Sequence, residues 1–332
     1  MTQNATILGG VEGTELTAAE RDFFRSADPW GFILFARNVD NPDQLRRLTG
    51  DLREAVGRDA VITIDQEGGR VQRMRAPHWA EWVPPLDQAD AGARAMWLRY
   101  RLIGAELRAM GIDSDCAPTL DVAQADTHPF LRNRCFGADP AQVAELGRAA
   151  ADGLLAAGVL PVVKHMPGHG RAVADSHKDL PVVTASLEEL EAVDFAPFRA
   201  LADLPMAMTA HIRFAALDDL PATSSPRMIG IIRDRIGFDG LLMSDDITMN
   251  ALPGSHAERA AASIAAGCDL VLHCNSPIAE MEAVTAAAGS MSAAALRRAD
   301  RALSMRRAPE AADWDALMAE YQALVPQHGA VV

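Results

Sequence analysis

AVITIDQEGGRVQR, residues 60–73, is a short apolar run that ends on a carboxylate and breaks into a glycine turn. A run rich in Val and Ile and apolar throughout suits a parallel strand covered on both faces. The same pattern recurs along the chain, at Ala5–Gly10, Gly31–Phe35, Ile112–Pro118, Val159–His165, Met206–His211, Gly240–Ser244 and Asp269–His273. The segments between read as helices. Asn41–Val56 carries Leu45, Leu48, Leu52 and Val56 at helical spacing, with Pro42 where a first turn tolerates it. Ala89–Met110 and Pro140–Ala157 read alike, the second stopping at Gly158. Asp219–Gly237 contains a helix that starts after Ser224–Pro226, and His256–Ala266 stops at Gly267.

Eight strand–helix units in a row predict an α/β chain folded as a single-domain (β/α)8 TIM barrel, with residues 290–332 adding packing helices. An open doubly wound sheet alternates in the same way, but no GxGxxG follows the first strand. The expectation is one catalytic domain over residues 1–332 without a second α/β sandwich domain.

Composition narrows the partners. Lys and Arg number 31 against 45 Asp and Glu, a net charge of −14. Such a surface repels phosphate backbones and anionic lipid, so neither nucleic acid nor membrane is an expected partner. No apolar run reaches the roughly 20 residues of a membrane helix. The start, MTQNATILGGVEG, lacks the basic and apolar regions of a signal peptide, which predicts a cytoplasmic protein. Cys116, Cys135, Cys268 and Cys274 form no CxxC pair and read as reduced thiols.

In a barrel the C-terminal strand ends surround the active site, and chemistry gathers there. Asp65 ends the third strand, Lys164 and His165 the fifth, His211 the sixth, and Asp245 and Asp246 the seventh. Asp65 reads as a mouth carboxylate, with helix N-capping as the alternative. Gly68 and Gly69 permit a turn that brings Arg70 and Arg73 back over the mouth, where a guanidinium fork suits sugar hydroxyls; a plain surface ion pair is the alternative for either. The loop 164–181 carries His165, His169, Asp175, His177 and Lys178. Asp175 and His177 lie two apart, so they share a side of an extended stretch and can form a carboxylate–imidazole pair, which suits a general acid/base. Chance exposure of loop histidines is the alternative. A metal-dependent amidohydrolase using His165, His169, His177, His211 and an Asp is a further reading, although no HExxH is present. Of Asp245 and Asp246, strand alternation lets one enter the pocket, leaving the other to cap a helix or bind backbone amides.

Six stretches carry a resemblance: GFILFARNV, DQEGGRVQR, KHMPGHG followed by DSHKDLP, AHI and GFDGLLMSDDITM. From about Ile7 to about residue 290 the chain resembles glycoside hydrolase family 3, and within it the bacterial cytoplasmic β-N-acetylhexosaminidases of peptidoglycan recycling. The resemblance implies a monomeric, cofactor-free and metal-free retaining enzyme that removes terminal GlcNAc from muropeptides. It makes Asp245 the nucleophile, His177 the acid/base and Asp175 its orienting partner. It assigns Asp65, Arg73, Arg134, Lys164 and His165 to the sugar, with Arg70, His169 and His211 as supports behind them. Cys135 stands where Ser is usual, and Arg213 departs from the pattern. An imidazole acid, unlike the usual carboxylate, would repel phosphate less, so phosphorolysis is an alternative outcome.

Overall fold

The computed structural model describes residues 3–174, 176 and 179–325 of the 332-residue chain. Eight parallel strands close into a barrel: β1 (Asn4–Leu8), β2 (Pro29–Leu34), β3 (Val61–Ile64), β4 (Ser114–Asp115), β5 (Leu160–Met166), β6 (Met206–Thr209), β7 (Leu241–Asp246) and β8 (Leu270–His273). Each follows one of the apolar runs in the sequence. Closure is made by β1 against β8, with Ile7 opposite Leu272. This is the expected (β/α)8 architecture, and the open sheet is excluded.

Period-two alternation divides strands such as β3, β5, β6 and β7 between two cores. Val61, Leu160, Val162, Met206, Met208, Leu241 and Met243 pack together inside the barrel. Ile62, Ile64, Val163, Ala207 and Leu242 instead pack outward under the helices. Both faces are dry, which is why the runs carry no polar phase until their ends.

The helices begin and end on local chemistry. Pro42–Val56 is capped by the Asn41 side chain, which accepts from the Gln44 amide, and it ends at Gly57 in the left-handed region. His256–Ala266 runs as expected from a Ser255 cap to Gly267. The expected Ala89–Met110 helix is broken: a 3-10 turn, Ala89–Ala91, precedes the helix Gly92–Ala109. The helix expected after Ser224–Pro226 is short, Pro226–Ile231, and widens into a π-type turn, Ile232–Ile236. Helices Ala293–Met305 and Trp314–Leu324 follow the last unit. A two-stranded sheet outside the barrel, Val182–Val183 beside Arg213–Phe214, went unforeseen.

Candidate active site

The inward phase of the strands delivers the functional side chains. Continuing β3 past Val61 and Thr63 places Asp65 inward; β5 does the same for Lys164 after Leu160 and Val162; β7 does it for Asp245 after Leu241 and Met243. These three line a cavity of about 350 Å³ at the barrel mouth, with Arg73, Arg134 and His165.

On one side of the cavity every charge is matched. Lys164 Nζ donates to Asp65 Oδ1 at 2.9 Å and lies 2.7 Å from Glu67 Oε1. Arg134 grips Glu67 bidentately, Nε to Oε2 at 2.9 Å and Nη2 to Oε1 at 2.7 Å. Arg73 Nη2 donates to Asp65 Oδ2 at 3.0 Å. Burial pushes the Asp65 carboxyl up, but Lys164 and Arg73 outweigh it and hold it well below its ordinary range. Burial likewise opposes ionisation of Glu67, yet Arg134 and Lys164 bring it down to about 2. Burial disfavours the Lys164 ammonium, and the two carboxylates overcome that to raise its pKa. All of these groups are therefore charged at neutral pH.

The turn carrying Glu67 depends on Gly68, whose φ of +104° and closeness to Val83 O, 2.8 Å from where a Cβ would stand, leave no room for a side chain. Arg73 folds back over the mouth as expected. Arg70 does not stand behind Asp65, Arg73 and Lys164: it lies on the rim of the cavity, its guanidinium 3.8 Å from the Phe130 ring centroid and bonded to the Phe130 carbonyl. The two-glycine turn throws it outward onto that ring, so it lines the opening.

Opposite, Asp245 has few partners. Its Oδ1 accepts the Asp246 amide at 2.8 Å, and its own amide donates to Thr209 Oγ1 at 3.3 Å. Burial pushes its carboxyl up, while His211, His165 and Lys164 pull it down further, for a net lowering. Asp246, out of phase, takes the other predicted role. Its Oδ1 accepts the amides of Thr248 (3.0 Å) and Cys274 (3.2 Å), and its Oδ2 accepts the Thr248 hydroxyl at 2.6 Å.

The histidines are held by protein. His165 Nδ1 meets Asp121 Oδ2 at 2.7 Å, and Asp121 Oδ1 accepts the amides of His165 and His169 at 3.2 and 2.7 Å. A carboxylate only accepts, so Nδ1 carries the proton and Nε2 is left toward Arg134, 3.5 Å away. His211 Nε2 donates to the Asp246 carbonyl at 3.0 Å, leaving Nδ1 to accept from Thr223 Oγ1 at 2.8 Å. His169 Nε2 meets Ser176 Oγ at 3.3 Å, and burial with the neighbouring His165 pushes its pKa down to about 4. Ser176, the described residue of the DSH element, is buried and borders the cavity. Asp175, His177 and Lys178 lie outside the described residues.

Among the described residues, His165, His169 and His211 do not form a group of converging metal ligands. Arg213 is remote from the cavity lining, pairing with Asp219 at 3.4 Å. All four cysteines are free and buried, and Cys135 Sγ contacts the Leu131 carbonyl at 3.6 Å. Sequence reasoning missed Glu67 and Asp121 as site residues. The available signal was Lys164 and His165 in an apolar strand, because a buried cation requires a carboxylate that the motif itself does not name.

Residues 15–304 match the family model for the glycosyl hydrolase family 3 N terminal domain. A curated beta-hexosaminidase of Bordetella avium (strain 197N) is 37% identical over 326 residues, covering 95% of this chain and 91% of that one. Native NagZ from Neisseria gonorrhoeae superimposes with a TM-score of 0.83 at 32% identity, covering 98% and 96% of the two chains. A family 3 beta-N-acetylglucosaminidase from Paenibacillus sp. str. FPU-7 gives a TM-score of 0.83 at 31% identity over 99% of this chain, which spans 63% of that longer protein. These likenesses replace the amidohydrolase reading with glycosidic bond cleavage: the chain belongs to glycosyl hydrolase family 3 and is a glycoside hydrolase.

Proposed function

We propose that the protein is a retaining exo-β-N-acetylglucosaminidase that removes terminal non-reducing GlcNAc from muropeptide fragments such as GlcNAc–anhydro-MurNAc. The reading includes a cytoplasmic monomer that uses no cofactor. It is carried by one observation: a half-buried Asp245 carboxylate, its pKa lowered by its surroundings, stands in the cavity with one backbone amide as the hydrogen-bond donor to its side chain among the described residues. That leaves one of its oxygens free for an electrophilic carbon. The names of the relatives support the choice of sugar.

In the mechanism, Asp245 attacks C1 while His177 gives its proton to the glycosidic oxygen, and the aglycone leaves. Asp175 keeps the imidazole in the tautomer this requires. In the second step His177 takes a proton from water as the water attacks C1, releasing GlcNAc with the configuration it began with. Asp65, Arg73, Arg134, Lys164 and His165 hold the sugar; with two carboxylates matched, the mouth offers fixed donors and acceptors to its hydroxyls. His211 and His169 are supports, the first through the Asp246 carbonyl and the second through Ser176.

The test is turnover of chromogenic β-GlcNAc and β-glucose glycosides. GlcNAc-selective hydrolysis is expected, with free GlcNAc the product even in phosphate; sugar 1-phosphate would replace hydrolysis by phosphorolysis. His177→Ala should recover much of its activity on substrates with good leaving groups, which need little protonation. Equal loss on good and poor leaving groups would remove His177 from the acid role.

A further inference from the structure

Behind the catalytic strand ends lies a second histidine cluster that the glycosidase reading does not use. Leu272 faces the cavity, so its neighbour His273, the last residue of β8, points out of the barrel under the helices. His273 is fully buried, and neither ring nitrogen has a hydrogen-bond partner among the described residues. An imidazole left this way forfeits a donor and an acceptor at once, a cost that a purely structural core residue rarely carries.

Two polar side chains converge on it. His256 opens the helix His256–Ala266, and Glu280 lies in the first turn of the helix Ile278–Ala288. His256 Nδ1 is 2.8 Å from Glu280 Oε2, and the His256 and His273 rings lie edge to face with centroids 5.5 Å apart. One ligating atom from each of the three residues falls within 4.8 Å of the other two. A surface cavity of about 480 Å³, bordered by Ser255, His256 and Glu280, gives access from solvent.

We propose that His256, His273 and Glu280 bind one divalent transition-metal ion, zinc being the best match. Two imidazoles and one carboxylate select zinc-type ions over magnesium or calcium, which prefer all-oxygen sets. Three protein ligands leave a fourth, tetrahedral position open to water from the surface cavity. Zinc bonds of about 2.0–2.1 Å set ligands roughly 3.4 Å apart, so the cluster closes by a small inward shift of the partly exposed His256 and Glu280. On binding, the hydrogen bond between His256 and Glu280 gives way to a bond from each to the ion.

The site is a brace rather than a second catalytic centre. His256 ends the loop that starts after Asp246, and Glu280 follows the loop holding Cys274 and Asn275, both of which line the catalytic cavity. The His273 carbonyl is bonded to the Gly9 amide, anchoring the site to the barrel wall. An ion here joins both catalytic loops to β8.

The experiment titrates chelator-treated protein with zinc chloride, using magnesium chloride as control, and reads stoichiometry and thermal midpoint. One zinc per chain with a raised midpoint, and no response to magnesium, is expected. His256→Gln and Glu280→Gln, both at partly exposed positions that fold without the ion, should each weaken zinc binding at least tenfold and remove most of the thermal shift. His273→Gln is the third variant, read by binding alone. Zinc affinity unchanged in all three variants, or binding abolished by saturating GlcNAc, would assign the ion to the catalytic cavity and overturn the proposal; so would no binding by the parent protein. Hydrolysis of GlcNAc glycosides by apo-protein is measured separately, so failure of either reading is distinguishable from failure of the other.

Discussion

The two walls of the cavity are built on opposite principles. On the β3–β5 wall, Asp65 and Glu67 are each clasped by two cations; the pairs of Glu67 are withdrawn from water, and that of Asp65 with Arg73 is partly exposed. On the β7 wall, half-buried Asp245 has no direct counter-charge among the described residues, and its carboxyl is lowered against burial by His211, His165 and Lys164. A matched wall is rigid and complementary to neutral, hydroxyl-rich ligands. An unmatched carboxylate is reactive. Under the proposed roles, charge at this mouth is divided between holding and doing, with Lys164 acting on both Asp65 and Asp245.

The strongest way to break the comparison is at β7. Asp245→Asn should lower kcat/KM on an aryl β-N-acetylglucosaminide by more than roughly a thousandfold with an unchanged thermal midpoint, as expected when a group acting in the transition state is removed. Asp246→Ala should show the reverse emphasis. It frees two amides and a hydroxyl, costing about 1–3 kcal/mol of stability. If the two variants lost activity alike at equal stability, the division of labour between the adjacent carboxylates would be wrong.

On the matched wall, Glu67→Ala should destabilise by about 3–5 kcal/mol, because Arg134 and Lys164 would be left buried with one carboxylate fewer. The pH dependence has a definite sign. A carboxyl held at about 2 contributes stability that is present above its unfolded value near 4.3 and lost as pH falls toward 2. Urea unfolding between pH 5 and pH 2 should therefore show a steeper acid loss in the parent than in Glu67→Ala. Parallel curves would mean that the wall is not charged as described.

Much of this was legible in the chain itself. Runs such as Val61–Ile64 declare parallel strands because both faces are dry, and alternation turns Asp245 and Asp246 to different sides without saying which enters, a choice that came from the resemblance alone. The helix starts near Pro42, Pro226 and His256 were readable because they follow local chemistry, and the structure puts Asn41, Ser225 and Ser255 at the capping positions before them. Glu67 and Asp121 were not legible as site residues, since each acquires its meaning from a lysine, arginine or histidine brought close only by barrel closure. Arg70 was misplaced for a similar reason: its partner Phe130 lies on a different loop.

A carboxyl beneath the matched wall sharpens the contrast further. Asp115 on β4 accepts the Gln66 amide at 2.9 Å with one oxygen, and its other oxygen has no partner among the described residues. Burial dominates, and the nearby Asp65 and Glu67 add to it, raising the carboxyl to about 8. The folded state then holds a proton that the unfolded chain releases near pH 3.9. Stability present below that value is lost as pH rises, with the loss complete above about 8, at a slope on the order of 1 kcal/mol per pH unit. Glu106, raised to about 7 by burial, adds to the same trend. Asp115→Asn should flatten part of the decline between pH 5 and 8; an unaltered slope would show Asp115 to be ionised in the fold.

The smallest effect is expected at Arg213, where the chain departs from the family pattern. Its backbone amide donates to the Pro181 carbonyl at 3.0 Å, and its strand pairs with Val182–Val183, so the main chain secures the end of the DSHKDLP segment. Among the described residues its side chain reaches the exposed Asp219, an ion pair of the kind worth between zero and about 1 kcal/mol. Any residue that keeps the extended backbone preserves the supporting bonds, so Arg213→Ile should leave stability within about 0.5 kcal/mol and kcat unchanged. A fall in kcat without a fall in thermal midpoint would show that the guanidinium acts on the neighbouring loop. In that case support for the DSHKDLP segment would extend beyond its backbone pairing, and the β5 side of the mouth would depend on a surface charge as well as on buried ones.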